Sequence, residues 1–322
     1  MPDPAGRHLL ALDIGGSKTS AALVREAADG TAEVLVLRTA PTPAAAGPAA
    51  ILDRALALAL EARGEVEVAA AGVASAGVVD VRRGTITHAT DSLRGWAGTD
   101  VAGPLAAGLG VDVRVLNDVQ AHGLGEARSG AGRGAGSLLL LAVGTGIGGC
   151  HVLDGEVVVG ARGAAGHMGH VAVPEAADVP CTCGRTGHLE GLASGPGVLA
   201  LAGRLGARLA DGGAVTDGRD LAALALTDPE GPASRAYAIA GRATGRVLGG
   251  LLNVLDPELV ALTGGVAEAD GVSAPGGVWR EALAEGMAEQ AMDVVAATPV
   301  VPARAGQHAA LLGAAHQAAA SL

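Results

Sequence analysis

Apolar residues run together over 8–14 and 19–24, on either side of a Gly-Gly turn, and a third stretch at 34–38 continues the pattern. Runs of this length, bounded by turn residues, predict strands joined as hairpins. Over 49–63 the apolar positions recur at helical spacing. A strand within 66–75, a segment around Trp96, a short helix at 101–108 and a strand at 111–116 complete a first α/β lobe closing near Asn117. A helix at 119–128 follows. The opening theme then repeats: a strand at 137–143, a turn through glycines 144–149, and a hairpin over 150–158 around Asp154-Gly155. Helices at 197–210 and 234–255, a buried strand at 259–263 and a helix at 307–320 finish the chain. The expected division is an α/β lobe over 1–117, joined by a C-terminal helix at 306–322, and a second α/β lobe over 118–305. A chain of 322 residues is long for one hydrophobic core, so two lobes with a central cleft is the natural arrangement.

Composition changes this picture in two ways. The chain is 49% hydrophobic but 1% aromatic and has no Phe, so Leu, Val, Ile and Ala must fill its cores through many small contacts. The 52 glycines punctuate apolar runs without a short period, which excludes a collagen-like or disordered chain. A net charge of −11 opposes a nucleic-acid or anionic-membrane surface, since both attract clustered Lys and Arg. The first residues lack the succession of a signal peptide, and the uncharged stretch 137–153 is broken by glycines. A cytoplasmic protein, without membrane or nucleic-acid partner, is expected.

Three glycine-rich turns carry candidate chemistry. In Asp13-Ile-Gly15-Gly16-Ser17-Lys18-Thr19 a strand ends in an acid and turns back through two glycines. Bare backbone amides there can approach a phosphate, and the carboxylate can hold a hydrated Mg²⁺; an ordinary hairpin turn has the same sequence. Ser17 before Lys18 excludes a P-loop. Gly144-Thr145-Gly146-Ile-Gly-Gly149 has dinucleotide-fingerprint spacing but is followed by a strand and hairpin, so a second phosphate hairpin facing the first fits better. The third turn, Leu262-Thr-Gly264-Gly265-Val266, follows a buried strand, where a base or ribose can lie on bare backbone or a plain strand-to-helix turn can stand. Asn117-Asp118 sits between a strand and a helix. Asp118 is either a helix cap or a general base for a hydroxyl attacking a γ-phosphate, oriented by Asn117.

The segment His167-Met-Gly-His170 followed by Cys181-Thr-Cys183-Gly-Arg-Thr-Gly-His188-Leu-Glu190 is the most specific. His170, Cys181, Cys183 and His188 can close a tetrahedral structural Zn²⁺ site, bracing a loop that carries His167 and Glu190 toward a ligand. Cys181 and Cys183 stand too close for an unstrained disulfide, in keeping with a reducing compartment.

With these motifs in their order, the sequence resembles the ROK family (repressors, open reading frames, kinases) from about residue 8 to its end. The resemblance implies an actin-like ATPase fold, ATP bound by the turns at Asp13–Thr19 and Gly144–Gly149, Asp118 as catalytic base, and Gly264 and Gly265 on the adenosine side. The family's zinc pattern is kept except that His188 stands for its third Cys. Most sugar kinases of the family carry a sugar-binding Glu where this chain has His167. Ala-Gly-His-x-Gly-His resembles instead some bacterial N-acetylmannosamine kinases of the family, as do Val73–Val78, Asn117–Gln120 and Cys-Gly-Arg-Thr-Gly. Ser92, before Leu93-Arg-Gly-Trp96, replaces a usual sugar-binding Asn.

The activity so implied is transfer of the γ-phosphoryl of ATP, with Mg²⁺, to the 6-hydroxyl of N-acetyl-D-mannosamine. Ser92, Asn117, Asp118, His167, His170 and Glu190 would meet the sugar. A glucokinase or another hexose or hexosamine kinase of the family is the nearest alternative. A sugar-sensing transcription regulator is a third, disfavoured by the acidic charge and by Asp13 lying too near the N-terminus for a preceding winged helix. The family implies a homodimer.

Overall fold

The computed structural model describes residues 6–89 and 93–322, so Ser92 lies outside the described residues. In chain order the elements are β1 (Arg7–Ile14), β2 (Lys18–Glu26), β3 (Ala32–Pro41), α1 (Pro48–Arg63), β4 (Ala71–Ser75), β5 (Val78–Asp80), β6 (Thr85–His88), α2 (Ala102–Leu109), β7 (Val113–Asn117) and α3 (Asp118–Ser129). They continue with β8 (Ser137–Val143), β9 (Ile147–Leu153), β10 (Glu156–Val157), α4 (Leu189–Ala193), α5 (Gly195–Arg204), α6 (Gly218–Thr227), α7 (Pro232–Leu255), β11 (Leu259–Thr263), α8 (Val278–Gln290), β12 (Val300–Pro302) and α9 (Ala309–Ala319).

Two five-stranded sheets share one plan: β3-β2-β1-β4-β7 in the first and β10-β9-β8-β11-β12 in the second. In each, an antiparallel meander at one edge gives way to later strands brought in by crossovers. In the first sheet β1 pairs antiparallel with β2 and parallel with β4, which in turn is parallel to β7. The register sets Ile14 beside Ser75 and Ser75 beside Asn117, so the carboxyl ends of three parallel strands finish level. Ligands of open α/β sheets gather at such ends.

The chain divides into two compact units. The first runs through Leu138, takes in Cys150–Gly166 and closes with Ala303–Leu322; the second comprises Leu139–Gly149 and His167–Pro302. Each has its own apolar core. That of the first gathers Leu10, Leu12, Ile14, Ile51, Val73 and Trp96. Trp96 is fully buried, and its indole N–H donates to Ser75 Oγ at 3.1 Å, which satisfies the one polar group of its ring. The core of the second centres on Leu139, Leu141, Val143, Leu192, Leu248 and Trp279. With so few aromatics, close backbone approach replaces ring volume. Gly241, Gly245 and Gly249 line one face of α7, where a Cβ would meet Trp279 O at 2.5 Å, Leu283 O at 2.0 Å and Met287 O at 2.5 Å of the α8 segment.

Several elements depart from the sequence-based expectation. The strand within 66–75 is confined to Ala71–Ser75, and the helix over 197–210 stops at Arg204. Beyond it Gly206 sits at φ +95°, a conformation that does not continue an α-helix. The turn expected over 144–149 is shorter, because β9 begins at Ile147, where Ile147, Cys150 and Val152 are all buried. Helices α6 and α8 and the short strands β5, β6 and β12 are additional to the elements expected from the sequence.

Candidate active site

The first unit holds one group of site residues at the level carboxyl ends. Asn117, the last residue of β7, is the N-cap of α3: its Oδ1 accepts from Val119 N at 3.0 Å and Gln120 N at 3.2 Å. Its Nδ2 donates to Gly77 O at 3.0 Å and to Asp118 Oδ1 at 2.8 Å. Capping is thus the work of Asn117, while Asp118 occupies the first helical position and also accepts from Val119 N at 2.8 Å. Two N–H groups converge on Asp118 Oδ1 and fix its carboxylate, at a helix end where negative charge is favoured.

Asp13 lies on β1 with its charge felt by Asp118. Burial, then the negative charge of Asp118, push its carboxyl up to about 6, against the pull of Lys18. A half-buried carboxyl within the field of a second carboxylate is short of positive charge, and a divalent cation would supply it. The turn beyond Asp13 is closed by Gly15 N to Lys18 O at 3.1 Å. Thr42 braces it from β3's end: its Oγ1 donates to Gly15 O at 2.8 Å, lies 2.8 Å from Thr19 Oγ1, and its N–H donates to Ser17 O at 3.1 Å. Thr42 was invisible to motif reading because its role comes from strand pairing.

The second unit holds the other group. Its glycine turn is closed by Gly144 N to Gly146 O at 2.9 Å, and Gly195 N at the start of α5 donates to Gly144 O at 2.7 Å. Gly264, at φ +97°, follows β11 with Val143 O only 2.6 Å from where a Cβ would stand, so no larger residue fits. A cavity of about 670 Å³ opens here, lined among others by Gly144, Thr145, Gly265, Asp217, Leu226 and Tyr237. Its size suits a nucleoside-sized ligand.

The same unit holds the His/Cys loop. The ligating atoms of His170, Cys181, Cys183 and His188 all fall within 4.8 Å of one another. Bonds of about 2.0–2.3 Å from a tetrahedral Zn²⁺ place donors roughly 3.3–3.8 Å apart, so a small contraction closes the set. Cys181 Sγ is already 3.6 Å from His170 Nδ1 and Cys183 Sγ 3.2 Å from His188 Nδ1. Two thiols and two imidazoles fit a structural zinc. The His167 and His170 rings lie near parallel, 6.0 Å between centroids and 23° between planes, so His167 stands beside a candidate metal ligand. Burial pulls the His170 imidazole below its ordinary value, which favours the neutral, metal-binding form. Glu190, on α4, accepts from Ile147 N at 2.9 Å and from Thr182 Oγ1 at 2.6 Å.

Residues 9–320 match the ROK family. The chain belongs to the ROK family. Among its relatives, the bifunctional enzyme NanE/NanK of Brucella melitensis is 35% identical over 293 residues, 90% of this chain and 51% of that protein. The chain therefore spans about half the length of the curated relatives it matches first. The ROK hexokinase of Thermus thermophilus superposes with a TM-score of 0.82 at 33% identity over 98% of both chains. The ROK glucokinase of Streptomyces griseus, solved with glucose and AMPPNP, superposes with a TM-score of 0.76 at 26% identity over 97% of this chain and 99% of that one. Proteins named N-acetylmannosamine kinase and glucokinase are among the other relatives. The fold is accordingly the actin-like ATPase fold of ROK sugar kinases. Among the described residues no helix is long and apolar enough to cross a membrane.

Proposed function

We propose that this ROK protein is an ATP-dependent sugar kinase that phosphorylates the 6-hydroxyl of N-acetyl-D-mannosamine. The kinase reading rests on family membership and on an Asp118 carboxylate held in place by Asn117 and Val119 N. In the first unit Asp118 takes the proton of the attacking hydroxyl and Asn117 orients it. Asp13 and the turn through Gly15, Gly16, Ser17, Lys18 and Thr19 serve the phosphates. A Mg²⁺ arriving with the nucleotide would neutralise phosphate charge, with Asp13 as its protein partner. In the second unit Gly144, Thr145 and Gly146 serve the phosphates, Gly264 and Gly265 border the adenosine, and His170, Glu190 and His167 meet the sugar.

The observation that carries the choice of sugar is the His167 ring lying beside that of His170. An imidazole there offers a donor to an amide carbonyl and fills more space than a carboxylate. The second reading, a glucokinase, is favoured by the structural likeness to the hexokinase and the glucose-bound glucokinase. ATP consumption measured against glucose, mannose, N-acetylglucosamine and N-acetylmannosamine separates the two. N-acetylmannosamine should give the highest kcat/KM, and His167→Glu should move preference toward glucose. Wild-type turnover of glucose at least equal to that of N-acetylmannosamine would assign the glucokinase reading instead.

A further inference from the structure

Glu190 is bonded on both sides by parts of the chain that are far apart in sequence. Its Oε2 accepts from the backbone N–H of Ile147, the residue that ends the glycine turn and starts β9. Its Oε1 accepts from the hydroxyl of Thr182, which stands between the two cysteine ligands of the metal loop. The packing admits no slack: a Cβ on Gly146 would come within 2.9 Å of Glu190 Oε2, and one on Gly169 within 2.4 Å of Ile147 O and 3.1 Å of Glu190 Cβ. A carboxylate held on both oxygens, here with Cys181 Sγ as a longer second contact to Oε1 at 3.8 Å, transmits displacement from either side, whereas one tethered by a single donor swings about it.

From this strap we infer that Thr182 is a positioning residue, coupling the metal-binding loop through Glu190 to the Gly144–Gly146 turn, so that the state of the loop sets nucleotide affinity as well as sugar affinity. The inference rests on the kinase reading for its ligands but not for its geometry. Thr182 is exposed and Glu190 half-buried, so the hydroxyl is replaceable by water at some loss rather than wholly lost. Thr182→Val removes the donor and keeps the shape, while Thr182→Ser restores the donor.

The test uses the whole chain with its zinc. Elemental analysis first establishes zinc content, calorimetry then gives affinity for a non-hydrolysable ATP analogue, and hydrogen exchange follows the peptide spanning residues 144–149. Thr182→Val should keep its zinc, bind the analogue up to about tenfold more weakly, the scale of one ordinary net hydrogen bond, and exchange faster across 144–149. Thr182→Ser should match wild type in all three. An unchanged exchange rate and analogue affinity in Thr182→Val would overturn the coupling, and so would loss of zinc in that variant, since the effect would then run through the metal. Failure of the kinase reading shows separately, as a wild-type protein that neither binds the analogue nor phosphorylates any sugar of the panel; faster exchange in Thr182→Val would still stand in that case.

Discussion

Asp118 and Asn117 divide between them two tasks that one acid at a helix start is often asked to combine. Asn117 caps α3 through its amide oxygen and steadies the Asp118 carboxylate through its amide nitrogen. Asp118→Asn therefore leaves the cap in place and removes the basicity along with a first-turn negative charge, worth about 0.3–1 kcal/mol at a helix end. The expected result is a melting temperature within a few degrees of wild type, sugar affinity nearly unchanged, and turnover lower by roughly 10²–10⁴-fold, the range for loss of a general base. Turnover within a factor of a few of wild type would take Asp118 out of the mechanism.

At the scale of elements, the loop between β10 and α4 has little regular structure to hold it. It contains short 3₁₀ turns at Met168–His170 and Pro174–Ala176 and isolated bridges such as Ala172 with His188. Its remaining order is expected from the metal, because ligand and loop fold together where no preformed site exists. Purified protein should carry one zinc per chain. His188→Cys, which restores the usual third cysteine, should retain it, and His188→Ala should lose it together with hydrogen-exchange protection over 167–190. Zinc-free protein with an unaltered exchange profile after chelation would show that the loop stands without metal. The same loop is anchored at its back by Arg246 of α7, which bonds Glu175 and, on the other side, Glu289 of α8.

At the scale of the molecule, the chain leaves the first unit twice and returns to it for the last time at Ala303. The return is fastened by Glu126 of α3, a fully buried carboxylate that accepts from Ala305 N at 2.6 Å, Arg304 N at 2.9 Å and Ala131 N at 2.8 Å. Beyond it α9 places His316 against both Glu26 of β2, at 3.1 Å, and Ser129, at 3.0 Å. Glu126→Gln turns an NH₂ group toward N–H donors and leaves at least one of them unpaired. That should cost on the order of 2–3 kcal/mol, read as a lower urea midpoint with an unchanged m-value. No loss of stability would mean that water takes over the acceptor role.

The sequence by itself determined the α/β character, the doubled hairpin theme and which His and Cys residues cluster in the loop before α4. Those signals are local: apolar period, turn glycines, and candidate ligands packed into the 19 residues from His170 to His188. It also brought Asp13, Asn117 and Asp118 into view through their positions at strand ends. Only the tertiary structure decided that Asn117 is the cap, that Thr42 braces the first glycine turn, and that Glu190 joins Thr182 to Ile147 N. The Thr42 and Glu190 bonds reach backbone groups or hydroxyls brought near by strand pairing and loop packing, whereas the Asn117 cap is local, to Val119 N and Gln120 N. Backbone amides look alike in every sequence, so their partners become known only once the chain has folded.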